Sequence, residues 1–165
     1  MLVLEPHRPA HRLDVSVVVP VYNERENLPE LLDRLTKVLG GLDRSYELVF
    51  VDDGSSDGSV EWLRERAEQD EHVGVVEFQA NFGQHAAVFA GLEAASGDAV
   101  VTLDADLQNP PEEIPNLLAA LQEGHDVAAG WRSNRQDPLL RRVASYLVNR
   151  LMSRATGVHL HDYGC

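Results

Sequence analysis

Short apolar runs rich in β-branched residues alternate along this chain with segments of helical period, and that alternation limits the fold more than any other feature. The runs are Ser16–Pro20, Tyr46–Val51, Val73–Phe78 and Ala99–Leu103. Each is too short for a buried helix and fits a strand covered on both faces. Between them, residues 26–39, 59–69 and 84–95 place apolar side chains three and four apart, as a helix packed on a sheet requires. A Pro-led helix is expected over 112–122, a fifth strand at Asp126–Ala129, and a long amphipathic helix over 138–155. Strands joined through single helices cannot pair as hairpins. They imply crossover units and a mainly parallel, doubly wound α/β sheet of Rossmann-like kind, flanked by helices.

With 165 residues, 44% apolar and 25% charged, the chain has the size and composition of one globular domain. It contains no repeat, low-complexity tract or linker, so residues 13–165 read as a single domain behind a loose segment, 1–12. Capping signals mark the helix starts. Asn23 with Glu26 fits a capping box, Ser56 or Asp57 a second cap, and Asn109-Pro110-Pro111 a third start. No apolar run reaches the ~20 residues that span a bilayer, and the N-terminus, with its early Glu5 and two prolines, does not read as a signal peptide. The single cysteine, Cys165, excludes a disulfide framework and suits a reducing compartment.

The net charge of −13 argues against a nucleic-acid partner, which selects for basic surfaces. The charge is unevenly spread, however. Six arginines (132, 135, 141, 142, 150 and 154) face only Asp137 and Asp162 in the last 34 residues, so an anion is expected to find its partners there.

In open α/β sheets, ligands bind beyond the carboxyl ends of the strands. The first strand runs into Pro20-Val21-Tyr22-Asn23-Glu24, the second into Asp52-Asp53-Gly54-Ser55, and the fourth into Asp104-Ala105-Asp106-Leu107-Gln108. Carboxylates gathered at one sheet edge repel one another unless a cation or hydrogen-bond donors offset them. Asp104 and Asp106, two apart just past a strand, can both face Mg²⁺ or Mn²⁺, a hard cation that commonly completes its shell with substrate phosphates. An isolated Asp-x-Asp reads more readily as a solvated turn; the strand before it and the neighbouring Asp52-Asp53 favour the cation. DDGSSDGS begins like an EF-hand loop from Asp53, but position twelve of that loop is Arg64 where a bidentate Glu is needed, so that reading fails. The turn serves better to bring backbone close to a ligand.

Other templates are missing. The sequence has no G-x-G-x-x-G, no P-loop and no G-x-S-x-G elbow, and its seven histidines are scattered. His159 and His161 alternate without the spacing of a metal pair on a helix. The 138–155 segment has one apolar stripe with Arg141, Arg142, Arg150 and Arg154 around it. It fits a helix packed on the sheet, or one lying at a membrane surface with guanidinium groups on phosphates.

VVVPVYNERENLPELL, YELVFVDDGSSDGS and GDAVVTLDADLQNPPEEIP, in this order, resemble the family 2 glycosyltransferases of GT-A fold, and among them the polyprenyl-phosphate group. NFGQHAAVFAGL, NRQDPLLRRVAS, NRLMSRATG and DYGC bring the likeness nearest to the bacterial transferases of 4-deoxy-4-formamido-L-arabinose to undecaprenyl phosphate, which serve lipid A modification and polymyxin resistance. The resemblance covers about residues 13–165. It implies a nucleotide pocket lined by Pro20, Tyr22, Asn23 and Glu24, with Asp52 on the base and Asp53 nearby. It implies that Asp104, Asp106 and Gln108 hold a divalent metal and the diphosphate. Arg132 with Arg141 or Arg142 would handle phosphate, and Asp162 matches an acidic position held to be catalytic. The partners implied are a nucleotide-sugar donor and a polyprenyl-phosphate acceptor at the cytoplasmic face of an inner membrane, reached through membrane helices beyond Cys165. A homo-oligomer stays open. Glucose, mannose or N-acetylglucosamine as the sugar, and a non-catalytic nucleotide- or metal-binding domain, stay open as alternatives.

Overall fold

A computed structural model describes residues 2–4 and 13–130. Strand β1 is Leu2–Leu4, and β2 (Leu13–Val21) leads through α1 (Leu28–Gly40) to β3 (Tyr46–Asp52). Helix α2 (Ser59–Gln69), strand β4 (Val73–Glu77), helix α3 (Gln84–Ala94) and strand β5 (Gly97–Thr102) follow. A 3-10 turn, Pro111–Glu113, opens α4 (Ile114–Gln122). The sheet order is β1-β4-β3-β2-β5, parallel throughout except for β1, which pairs antiparallel to β4. The doubly wound α/β expectation therefore holds, with two corrections. Leu2–Leu4, read as part of a loose segment, takes the sheet edge. Asp126–Ala129 forms no strand: a strand exists only through a partner's ladder, no described residue pairs with it, and Val127 is 75% exposed.

The core follows from period-2 alternation. On one face of the sheet, Val18, Val49, Val51 and Val76 pack with Ala87 of α3. On the other, Val15, Val17, Val19, Leu48, Phe50 and Val75 are equally buried. Leu28, Leu31, Leu35 and Leu39 form the buried stripe of α1, and Leu63 is the buried apolar residue of α2. Gly91 sets how closely α3 lies on the sheet, because a Cβ there would run into Val18 and approach Val51 Cγ2 at 3.1 Å. At the opposite end from the strand-end loops, buried Glu47 accepts hydrogen bonds from Ser16 Oγ, Ser96 N and Ser96 Oγ, which keep a buried carboxylate tolerable.

Contacts group the chain into two units, Met1–Pro115 and Asn116–Cys165. The first holds the whole sheet. In the second, α4 ends at Gln122 and a turn follows with Gly124 at φ 95°. Among the described residues no helix is long and apolar enough to cross a membrane.

Candidate functional site

The chain leaves β2 toward β3 on one side and returns from β4 to β5 on the other. The order therefore reverses between β2 and β5, where an open parallel sheet leaves a crevice. A cleft of about 400 Å³ sits there, in the first unit. Pro20, Val21, Tyr22 and Glu24 line it from the end of β2, Asp53 from β3, and Asp104, Ala105 and Asp106 from β5. The N-terminal turn of α3 and the loop before it add Asn81, Gly83, Gln84 and Ala87.

Two loops are built into each other beside this cleft. Asn23 does not cap α1, whose first flanking residue is Asn27; instead it takes a left-handed conformation at φ 56°. Asn tolerates that region because its short side chain bonds locally, and here Asn23 Oδ1 accepts from Ser56 N at 2.9 Å. Three successive amides of the same loop are held by side chains of the DDGSSDGS turn. Asn23 N donates to Ser55 Oγ (2.9 Å), Glu24 N to Ser59 Oγ (3.2 Å) and Arg25 N to Asp57 Oδ2 (2.9 Å). Asp57 also accepts from Ser59 N and Ser59 Oγ, so it acts at the start of α2 although Gly58, at φ 90°, occupies the cap position. Burial pushes the Asp57 carboxyl up, but the hydrogen bonds from Ser59 and from the Arg25 and Ser59 amides outweigh it and hold the group below its ordinary value. The Arg25 guanidinium lies 5.4 Å from the Trp62 ring, with Arg66 at 5.5 Å.

Asp53 joins a second pair of loops. Its Oδ1 accepts from Phe82 N at 2.7 Å and its Oδ2 from Gly83 N at 2.9 Å, fixing the turn that enters α3. Gly54 lets that turn come close: it stands at φ 73°, and a Cβ on it would lie 2.6 Å from the Ala80 carbonyl carbon. On the far wall, Gln84 Nε2 donates to Asp104 Oδ1 at 2.7 Å, and Asp106 Oδ1 accepts from Gln108 N at 3.0 Å. Leu107, between Asp106 and Gln108, has φ 62°, a strained value for a branched residue.

Of the residues read from the sequence, Pro20, Tyr22, Glu24, Asp53, Asp104 and Asp106 line one cleft, and Asn23, Asp52 and Gln108 do not. Asn23 shapes the loop, and Gln108 bonds through its backbone. Asp52 is 2% exposed; its Oδ2 accepts from Ser55 N while its Oδ1 is buried without a partner. Arg132, Arg141, Arg142 and Asp162 lie outside the described residues. The sequence reading missed Asn81, Gly83, Gln84 and Ala87. The signal was available, since every parallel strand ends at the same edge and the loop after β4 had been given no role.

Glu24, Asp53, Asp104 and Asp106 enter this lining, and among the described residues no Lys, Arg or His does. Hard oxygen donors such as these suit Mg²⁺ or Mn²⁺. No group of three or more His, Cys, Asp or Glu side chains converges on one point among the described residues.

A parallel sheet with an acidic cleft at its reversal point is the arrangement of a GT-A domain. The pattern of the family described as Glycosyl transferase family 2 matches residues 16–162, and the chain belongs to that family. It is 54% identical over 153 residues to the undecaprenyl-phosphate 4-deoxy-4-formamido-L-arabinose transferase of Aeromonas hydrophila, a match covering 92% of this chain and 47% of that protein. The chain thus spans about half the length of the curated relatives it matches. Among solved structures it is similar to glucosyl-3-phosphoglycerate synthase from Mycobacterium tuberculosis in complex with UDP. That match has a TM-score of 0.62 and 27% identity, over 90% of this chain and 53% of that one. It is also similar to a mannosyltransferase from Pyrobaculum calidifontis in complex with GDP-mannose and Mn²⁺. There the TM-score is 0.51 and the identity 30%, over 68% of this chain and 33% of that one.

Proposed function

We propose that this chain carries the donor-binding part of an inverting glycosyltransferase that moves 4-deoxy-4-formamido-L-arabinose from a UDP donor to undecaprenyl phosphate. The observation that carries the reading is the acidic lining of the cleft between β2 and β5, with Glu24, Asp53, Asp104 and Asp106, within a chain 54% identical to a transferase of that name. Asp104 and Asp106 would hold Mg²⁺ or Mn²⁺, which offsets the charge developing on the leaving diphosphate. Tyr22, Glu24 and Pro20 border the nucleotide, and buried Asp52, outside the lining, holds the turn after β3 by accepting from Ser55 N.

The acceptor's phosphate monoester has its second pKa near ~6, so near neutral pH its oxygen is already anionic and attacks the anomeric carbon without a strong general base. The new C–O bond forms as the bond to the diphosphate breaks, with inversion. Arg132 with Arg141 or Arg142 would orient the lipid phosphate, and Asp162 the acceptor, with the whole enzyme at the cytoplasmic face of an inner membrane. Uridine is favoured over guanosine because UDP or a UDP-sugar is bound in several of the similar solved structures, against GDP-mannose in the mannosyltransferase.

Calorimetric titration with UDP and with GDP, each with and without Mn²⁺, tests the donor site. Metal-dependent binding of UDP, abolished in Asp104→Ala and Asp106→Ala, is the expected result. A folded chain that binds GDP instead would move the reading to a mannosyl-type donor, and one that binds neither would end it. Transfer itself is read with the full-length protein and a donor panel; a protein that binds UDP yet transfers no sugar to undecaprenyl phosphate would be a binding domain.

A further inference from the structure

We infer that Gln84 is a positioning residue for the metal-binding carboxylate Asp104, and that Asp53 holds the turn from which Gln84 projects. This rests on the donor-site reading above and deepens it. Gln84 is the first residue of α3, lines the cleft and donates from Nε2 to Asp104 Oδ1 at 2.7 Å. The direction of the amide is set by chemistry: an ionised carboxylate only accepts, so the NH₂ group faces Asp104. Asp104 is thereby held in one orientation by a neutral donor, which brings no charge to compete with a cation for the same oxygens.

The support for Gln84 comes from across the sheet. Asp53, at the end of β3, binds the amides of Phe82 and Gly83 with its two oxygens, and Gly83 takes φ 93° just before the helix. One acidic side chain therefore fixes where α3 begins, and the first side chain of α3 fixes where a metal ligand points. Outer-shell partners of this kind set ligand orientation and typically change metal affinity about 10–100-fold when removed.

The test uses Gln84→Met, which keeps the volume and loses the donor, and Gln84→Ala, which keeps helix propensity. Mn²⁺ affinity is measured by electron paramagnetic resonance with UDP present, UDP affinity by calorimetry at limiting and at saturating Mn²⁺, and folding by circular dichroism. Expected are native spectra, Mn²⁺ affinity in the presence of UDP weakened about tenfold or more in both variants, and UDP binding that is weakened at limiting Mn²⁺ but restored at saturating Mn²⁺. Unchanged Mn²⁺ affinity in a parent chain that does bind Mn²⁺ with UDP would overturn the role of Gln84 and leave the donor site standing. UDP binding that stays weak at saturating Mn²⁺ would make Gln84 a nucleotide contact instead and overturn the inference. A parent chain that does not bind Mn²⁺ with UDP would remove the donor-site reading and this inference with it. If the variants unfold, Asp53→Asn supplies the second arm: it leaves Gln84 intact, but its amide cannot accept from both Phe82 N and Gly83 N, so the same selective loss of Mn²⁺ affinity is expected. Unaltered Mn²⁺ affinity there would overturn the inference.

Discussion

At the scale of single residues, the DDGSSDGS turn is a clamp on its neighbour rather than a ligand loop of its own. Asp57 is the plainest case, because one carboxylate serves both the first turn of α2 and the Arg25 amide. Asp57→Ala frees that amide and with it the loop carrying Tyr22 and Glu24. The side chain is exposed, so the stability cost is small. The effect is expected in binding, where a lost hydrogen bond of ordinary net strength, worth about 1–1.4 kcal/mol at this exposed position, weakens UDP roughly five- to tenfold. Calorimetry reads this directly, and an unchanged dissociation constant would mean that Ser55 and Ser59 hold the loop unaided. The turn's polar composition was plain in the sequence, but its partners lie about thirty residues away, and no local spacing encodes such a pairing. Asn23 shows the same limit: its position suits a helix cap, yet the tertiary partner Ser56 wins it.

Among the elements, the seat of α3 on the sheet decides the shape of the cleft wall. Gly91→Ala gains up to about 1 kcal/mol of helix propensity. It also drives a methyl into Val18 in a filled core, and overpacking of this kind costs about 1–3 kcal/mol. The net expectation is a lower midpoint in urea; a higher one would show that α3 can lift without penalty. A second joint links α1 to the entry of α4, where Arg34 Nε and Nη2 donate to both oxygens of Glu112 at 2.9 and 2.6 Å. That guanidinium holds the Glu112 carboxyl down at about 2, from an ordinary 4.5. A lowered carboxyl contributes stability that is complete above its unfolded value and lost as pH falls through the folded one. Glu112→Gln is therefore expected to be less stable than the parent at neutral pH and to lose less between pH 4.5 and 2. The exposed setting keeps the difference small, and urea midpoints across that range measure it; parallel pH curves would show that the pair contributes nothing.

For the molecule as a whole, the strongest expectation is linkage between ligand and stability. A ligand that binds only the folded chain stabilises it by about 2.7 kcal/mol at a hundred times its dissociation constant. For a domain of this size that corresponds to roughly 5–10 °C in Tm. UDP with Mn²⁺ is expected to give such a shift, EDTA to remove it, and Asp106→Ala to show none. A shift with UDP that EDTA leaves intact would place the nucleotide in the cleft without metal.

The sequence by itself determined the class of the fold and the acidic face of the site. Alternating β-branched runs and helical stripes leave little besides a doubly wound sheet, and Asp53, Asp104 and Asp106 directly follow apolar runs whose ends must share an edge. Both facts are local in the chain, so periodicity reveals them. Tertiary structure decided which strands neighbour one another, and so where the order reverses and a cleft opens. It brought Gln84 to Asp104 and the loop after β4 to Asp53, and it withheld a strand from Asp126–Ala129 by leaving it without a ladder. Those outcomes depend on contacts between residues distant in the chain, and hydrogen-bond geometry at that range exists only once the sheet has formed.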